Sequence, residues 1–137
     1  MAVIKELLRT EADGRISFGN YDLAEKKKLS DYEFQGDIYK VKTYKEITRL
    51  ERNDTVVYES VPGTAVSEFE ETDHQVTFTV EGDQDVMITL GLEEDSEYCI
   101  YLDDVNVGCM KTNMGGKLSF SVELEKAEQV KVRVVRA

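Results

Sequence analysis

The chain has no tryptophan, one histidine, one proline and two cysteines, and no apolar run approaches the roughly 20 residues of a membrane-spanning helix. Its opening residues reach a charge at Lys5 and another at Glu6, so the uninterrupted apolar region of a secretory signal is missing and a cytoplasmic location is expected. Cys99 and Cys109 are too few for a disulfide scaffold, and no further Cys or His is spaced around them as a zinc site requires. Cations are also missing over a long stretch, because residues 53–110 contain no Lys or Arg. With a formal net charge of −11, the chain lacks the clustered positive charge that binding to nucleic-acid phosphates needs.

What the chain does have is alternation. At 137 residues it is long enough to bury a core without staples. In the second half, apolar residues fall at every second position: Val76, Phe78 and Val80; Val86, Ile88 and Leu90; Tyr98, Ile100 and Leu102; Val105, Val107 and Cys109; Leu118, Phe120, Val122 and Leu124; Val130, Val132 and Val134. Period two marks strands with one buried face, and the turn-like clusters between them match the spacing of sandwiches and barrels.

The first half is less regular but still strand-rich, over residues 15–19, 37–44, 46–50 and 55–59, with a hairpin turn at Glu51-Arg52-Asn53-Asp54. Residues 3–9 read as an edge strand and residues 22–30 as a charged loop or short helix. The fold class expected is all-β: an Ig-like β-sandwich over residues 74–137, with additional N-terminal β-strands packed against it. The break at residues 62–73 divides the chain into a β-rich region (1–73) and the sandwich (74–137), or lies inside one continuous domain with a shared core.

Gly115-Gly116-Lys117 poses a choice between a phosphate loop and a turn. A phosphate loop needs Gly, four residues, Gly-Lys and then Ser or Thr opening a helix, whereas Lys117 is followed by Leu118 and a strand pattern. A two-residue hairpin loop instead sets Cys109 against Val122 and Val107 against Leu124. The same parity, with a turn centred on Asp104-Val105, pairs Ile100 with Cys109 and turns Cys99 outward. Free thiols are therefore expected, Cys109 buried as a small hydrophobe and Cys99 more accessible.

No residue set dictates a reaction. His74, in Glu70-Glu71-Thr72-Asp73-His74, has no nucleophile motif with it and reads as a solvated linker histidine. Two carboxylates held across a sugar could hydrolyse a glycosidic bond, but with 28 acidic residues no pair stands out. Glu93-Glu94-Asp95 and Asp103-Asp104 could hold calcium, yet the helix-flanked twelve-residue loop is absent and both fit strand turns. Lys26-Lys27-Lys28 reads as a solvated run, and Tyr32, Tyr39 and Tyr44 among Lys40, Lys42 and Lys45 resemble only faintly a single-strand nucleic-acid surface. No catalytic, cofactor-binding or metal residue is nominated, and no cofactor is expected.

The segments "MAVIKELLRTEADGRISFGNY", "YKVKTYKEITRLERN", "YESVPGTAV" and "VGCMKTNMGGKLSFSVEL" resemble a family of small acidic bacterial proteins that carry the label endosialidase. The resemblance spans nearly the whole chain and implies a glycan-active protein, with no site residue carried over. Separately, "EYCIYLDDVNVG" followed by "KLSFSVEL" is similar to Ig-like modules attached to bacterial surface proteins and glycosidases, which bears on fold.

The leading functional expectation is a non-enzymatic protein whose work is association, as a homo-oligomer joined through sheet edges or complementary charged surfaces. No nucleic-acid or membrane partner is expected. The alternative is a glycan-active protein, either a carbohydrate-binding module or an endosialidase-like accessory. That reading calls for an exposed Tyr or Phe platform.

Overall fold

The computed structural model describes residues 3–124 and 128–137. Among them there is no helix; thirteen strands run β1 (Leu8–Thr10), β2 (Ile16–Phe18), β3 (Lys27–Phe34), β4 (Asp37–Tyr44), β5 (Ile47–Arg52), β6 (Thr55–Val61), β7 (Ala65–Glu71), β8 (Gln75–Gly82), β9 (Val86–Gly91), β10 (Glu97–Leu102), β11 (Val105–Lys111), β12 (Lys117–Val122) and β13 (Glu128–Arg136). They form two antiparallel sheets, one ordered β1-β2-β7-β8-β13-β10-β11 and the other β12-β9-β6-β5-β4-β3. The all-β, two-sheet fold is thus the one the alternation predicts. Each sheet takes strands from both sides of Asp73, and a single apolar cluster joins Phe18, Val41, Leu50 and Tyr58 to Phe78, Ile88, Phe120 and Val134. Around Asp73 the chain makes a tight turn between the paired strands β7 and β8, with the Thr72 amide donating to the Gln75 carbonyl at 2.8 Å.

The buried faces follow the period. In β8, Val76, Phe78 and Val80 point inward; in β9, Val86, Ile88 and Leu90 do, while Met87 between them is exposed. At the centre of the sandwich Phe18, Tyr58, Phe69 and Phe78 meet largely edge to face. Phe18 and Tyr58 are 5.2 Å apart between ring centroids, and Tyr58 and Phe78 are 5.5 Å apart. Such pairs add about 0.5–1.5 kcal/mol each beyond the area they bury.

Polar groups also enter this core, and each is satisfied. The Thr48 hydroxyl donates to the Thr64 carbonyl at 2.9 Å and accepts the Thr64 amide at 3.1 Å. Its one proton being used, the 2.8 Å contact with Thr43 must be donated by Thr43, whose own oxygen accepts the Asn20 amide at 2.9 Å. Tyr58 and Ser60 meet the Thr64 hydroxyl at 2.8 Å each.

Three expectations need correction. The β10–β11 turn is Asp103-Asp104, not Asp104-Val105: both Asp residues have positive φ, 50° and 68°, as a two-residue hairpin turn demands. Leu102 then pairs with Val105 and Tyr101 with Asn106, but a bulge absorbs Val107, so Ile100 faces Gly108 and Cys99 faces Cys109. The cysteines are joined, with an S–S distance of 2.02 Å and Cα atoms 3.9 Å apart, so neither is a free thiol. From the two-residue turn, unbroken pairing would set Cys99 opposite Gly108; the bulge shifts the register by one residue and brings the sulfurs together.

Second, Cys109 is not buried, and neither are Val105 and Val107, because β11 is exposed along its whole length at the rim of its sheet. Third, Gly115-Gly116 does not join a pair of hydrogen-bonded strands. The chain crosses there from one sheet to the other, and Leu118, Phe120 and Val122 pair with Leu90, Ile88 and Val86 of β9 rather than with β11. At the N-terminus, only Leu8 and Arg9 of residues 3–9 lie in a strand, β1, and β3 begins at Lys27 within the stretch read as a loop or helix.

Candidate functional site: an open sheet edge and a polar cleft

Four strands have an unpaired side: β1 and β11 in one sheet, β3 and β12 in the other. Unpaired edges invite further strands, and proteins blunt them with short length, lysines or bulges. Strand β1 is three residues long. Strand β3 carries exposed Lys27 and Lys28 and a register shift between Leu29 and Tyr32, where Asp31 has a φ of 59°. In β12, the residues that do not face the core are Lys117, Ser119 and Ser121, the two serines exposed.

Strand β11 also carries a bulge, at Val107, but it is neither short nor lysine-bearing before its last residue. Its seven residues, Val-Asn-Val-Gly-Cys-Met-Lys, hold no charge before Lys111. Val105 is 62%, Val107 55% and Met110 41% exposed. The strand is fixed to β10 by its ladder and by the Cys99–Cys109 bond, and the Asn106 side chain braces the bulge by accepting the Gly108 amide at 2.8 Å. Between β11 and the facing edge β12 lies an open cleft of about 800 Å³, lined by Ile100, Val107, Met110, Phe120, Val122 and Met87, the last 47% exposed.

A second cleft, of about 610 Å³, gathers Arg52, His74, Lys117 and Arg136 with Glu71, Asp73 and Glu93, as many carboxylates as there are Lys and Arg side chains. Burial opposes the charge on Arg52 most strongly of any one cause, but Glu71 and Tyr39 together outweigh it and raise the pKa above the ordinary value. The Lys117 ammonium donates to the Val56 carbonyl at 3.1 Å, and Arg136 donates to the Ser96 hydroxyl at 3.2 Å. So the lysine of the Gly-Gly-Lys stretch braces a neighbouring strand. Asn113 organises the turn before it, its side-chain oxygen accepting the Gly115 and Lys117 amides at 2.9 Å each.

The other candidates are dispersed. His74 is exposed in the β7–β8 turn; Glu93, Glu94 and Asp95 are exposed between β9 and β10; Asp103 and Asp104 form the β10–β11 turn. Among the described residues no three His, Cys, Asp or Glu side chains come together as a metal site. Lys26, Lys27 and Lys28 are exposed. Tyr39 is buried, and Tyr32 bonds the Thr10 hydroxyl at 2.8 Å. Every Tyr and Phe is buried or half-buried, and one face of Tyr101 is covered by Arg133, 4.2 Å from its ring centre.

Three ion pairs bring cations from outside residues 53–110 to carboxylates within that stretch. Arg49 pairs with Glu59 at 2.7 Å, Arg15 with Glu68 at 3.2 Å and Arg52 with Glu71. No signal in the sequence distinguished β11 as exposed, because its apolar alternation reads like that of a core strand. No family model matches the chain, and no curated protein or solved structure matches it either.

Proposed function

We propose that this is a non-enzymatic β-sandwich protein whose work is association, chiefly with copies of itself, through exposed sheet edge. The observation that carries this reading is β11: a strand unpaired along its outer side, with Val105, Val107 and Met110 exposed and no charge before Lys111, beside an apolar cleft. Added strands gain main-chain hydrogen bonds from such an edge and specificity from alternate side chains. Sedimentation velocity over a range of concentrations tests it. A concentration-dependent dimer or larger species supports the reading, and a monomer at both low and high salt removes it.

The polar cleft favours a second reading, a glycan-active protein, since Arg52, Lys117 and Arg136 are its concentrated cations and an acidic sugar needs such a lining. The absence of an exposed aromatic platform weighs against it. Binding on a glycan array, or turnover of sialic-acid polymers, tests this alternative directly.

The Cys99–Cys109 bond also bears on location. Such bonds persist in oxidising compartments, which favours one over the cytoplasm expected from the opening residues. Rapid thiol trapping in cells decides between them: blocked thiols place the chain in a reducing compartment, unreactive cysteines in an oxidising one.

A further inference from the structure

Resting on the self-association reading, we propose that the partner of β11 is the β11 of a second copy, paired antiparallel about Val107 and Gly108, so that two seven-stranded sheets become one continuous sheet. The argument is charge complementarity along the edge. Asp103 and Asp104 stand at the N-terminal end of β11 and Lys111 at its C-terminal end, with only uncharged residues between. Antiparallel pairing sets Lys111 of each copy beside the Asp103-Asp104 turn of the other, twice per dimer. Parallel pairing sets like charges together instead, which is unfavourable.

The arrangement is self-complementary, as a two-fold interface requires: what one edge lacks, the same edge in the second copy supplies. Lys111 is the one cation on β11, and this pairing sets it opposite Asp104, the Asp103 side chain already accepting the Lys131 amide at 2.9 Å. Gly108 at the centre has nothing within 4 Å of a Cβ position, leaving room for the close approach of a second backbone. The Cys99–Cys109 bond holds β11 in register on β10, so the edge is presented already ordered. The other edges offer less: β1 is too short, β3 carries two exposed lysines, and β12 presents Lys117 and two serines.

The test is sedimentation velocity on wild-type protein, Val107→Lys, Lys111→Glu, Asp104→Lys and the double swap Lys111→Glu/Asp104→Lys. Thermal unfolding is measured on each, and amide exchange on the wild type at low and high concentration. The inference expects a wild-type dimer whose β11 amides gain protection with concentration. It expects association weakened roughly tenfold or more by Val107→Lys and roughly threefold or more by each single charge reversal, with recovery in the double swap. A dimer with unchanged β11 exchange, or one that Val107→Lys does not weaken, overturns this inference while leaving self-association standing. Failure of the double swap to recover overturns the antiparallel arrangement. A wild-type monomer throughout removes both, and because exchange is read on the wild type, a variant that fails to fold leaves the decision intact.

Discussion

Cys99 and Cys109 face each other across the β10–β11 hairpin, their Cα atoms 3.9 Å apart, because one bulged residue separates them from the Asp103-Asp104 turn. The bond ties the rim strand to the sheet at a point where β11 buries little of its own side-chain surface. Elsewhere the sandwich is held by apolar faces closing on each other. Here a covalent link and a backbone ladder do that work.

Replacing both cysteines with serine is accordingly expected to destabilise the protein by about 2–3 kcal/mol, the magnitude for a closed loop of this size. The separation between the two residues is 10. Urea unfolding of the double variant against wild type measures it. Amide exchange should localise the first loosening to β11, with β8 and β13 at the centre of the sheet little changed. Uniform loosening across both sheets would show instead that the bond supports the whole fold.

The parts of this architecture visible in the sequence are those where period two runs unbroken. Val76-Phe78-Val80 and Val86-Ile88-Leu90 could be placed on inner faces because no bulge intervenes. The β10–β11 hairpin was misread because parity carries no information about an inserted residue, and one extra position at Val107 exchanges which side chains oppose. The crossing at Gly115-Gly116 was hidden for a different reason. A turn between strands in different sheets uses the same glycines as a hairpin, and only the partners of Leu118 and Phe120 reveal which it is. The open edge could not be foreseen at all, since Val105 and Val107 carry the alternation of buried residues and exposure is decided by what the rest of the chain fails to cover.

The two glycines at that crossing make unequal demands. A Cβ on Gly116 would lie 2.2 Å from the Leu92 carbonyl oxygen, and its φ is +75°. A Cβ on Gly115 would come no nearer than 3.4 Å, to the Asn113 side chain. Gly116→Ala is expected to destabilise by more than about 1 kcal/mol, through both strain and displacement of the Leu92-to-Gly116 hydrogen bond. Gly115→Ala should lie within roughly 0.5 kcal/mol of wild type. Thermal melts of the two variants side by side check the contrast.

Thr48 holds more of the interior than its size suggests, since its single hydroxyl serves both the amide and the carbonyl of Thr64 as well as Thr43. Thr48→Val keeps the shape but leaves those backbone groups buried without their partner. A loss of about 1–3 kcal/mol is expected in urea unfolding. Thr48→Ser, which retains the hydroxyl, should recover most of it.

High pH gives the last test. Tyr58, fully enclosed, is pushed well above the usual phenol range by burial, and Tyr21 by burial together with its 2.9 Å hydrogen bond to the Glu81 carboxylate. For a phenol, a raised folded pKa means that the folded state favours the neutral form. This contribution to stability is therefore fully present below the unfolded value of about 10, and it is lost as pH rises through and beyond that value. The phenolate absorbance of Tyr21 and Tyr58 is expected to appear only with cooperative unfolding. Tyr21→Phe should weaken folding at neutral pH, by about 1.5–3 kcal/mol for a bond to a charged group, and also flatten the alkaline decline. If all seven tyrosines instead titrate near pH 10 while circular dichroism remains native, the closed environment of these two side chains is refuted.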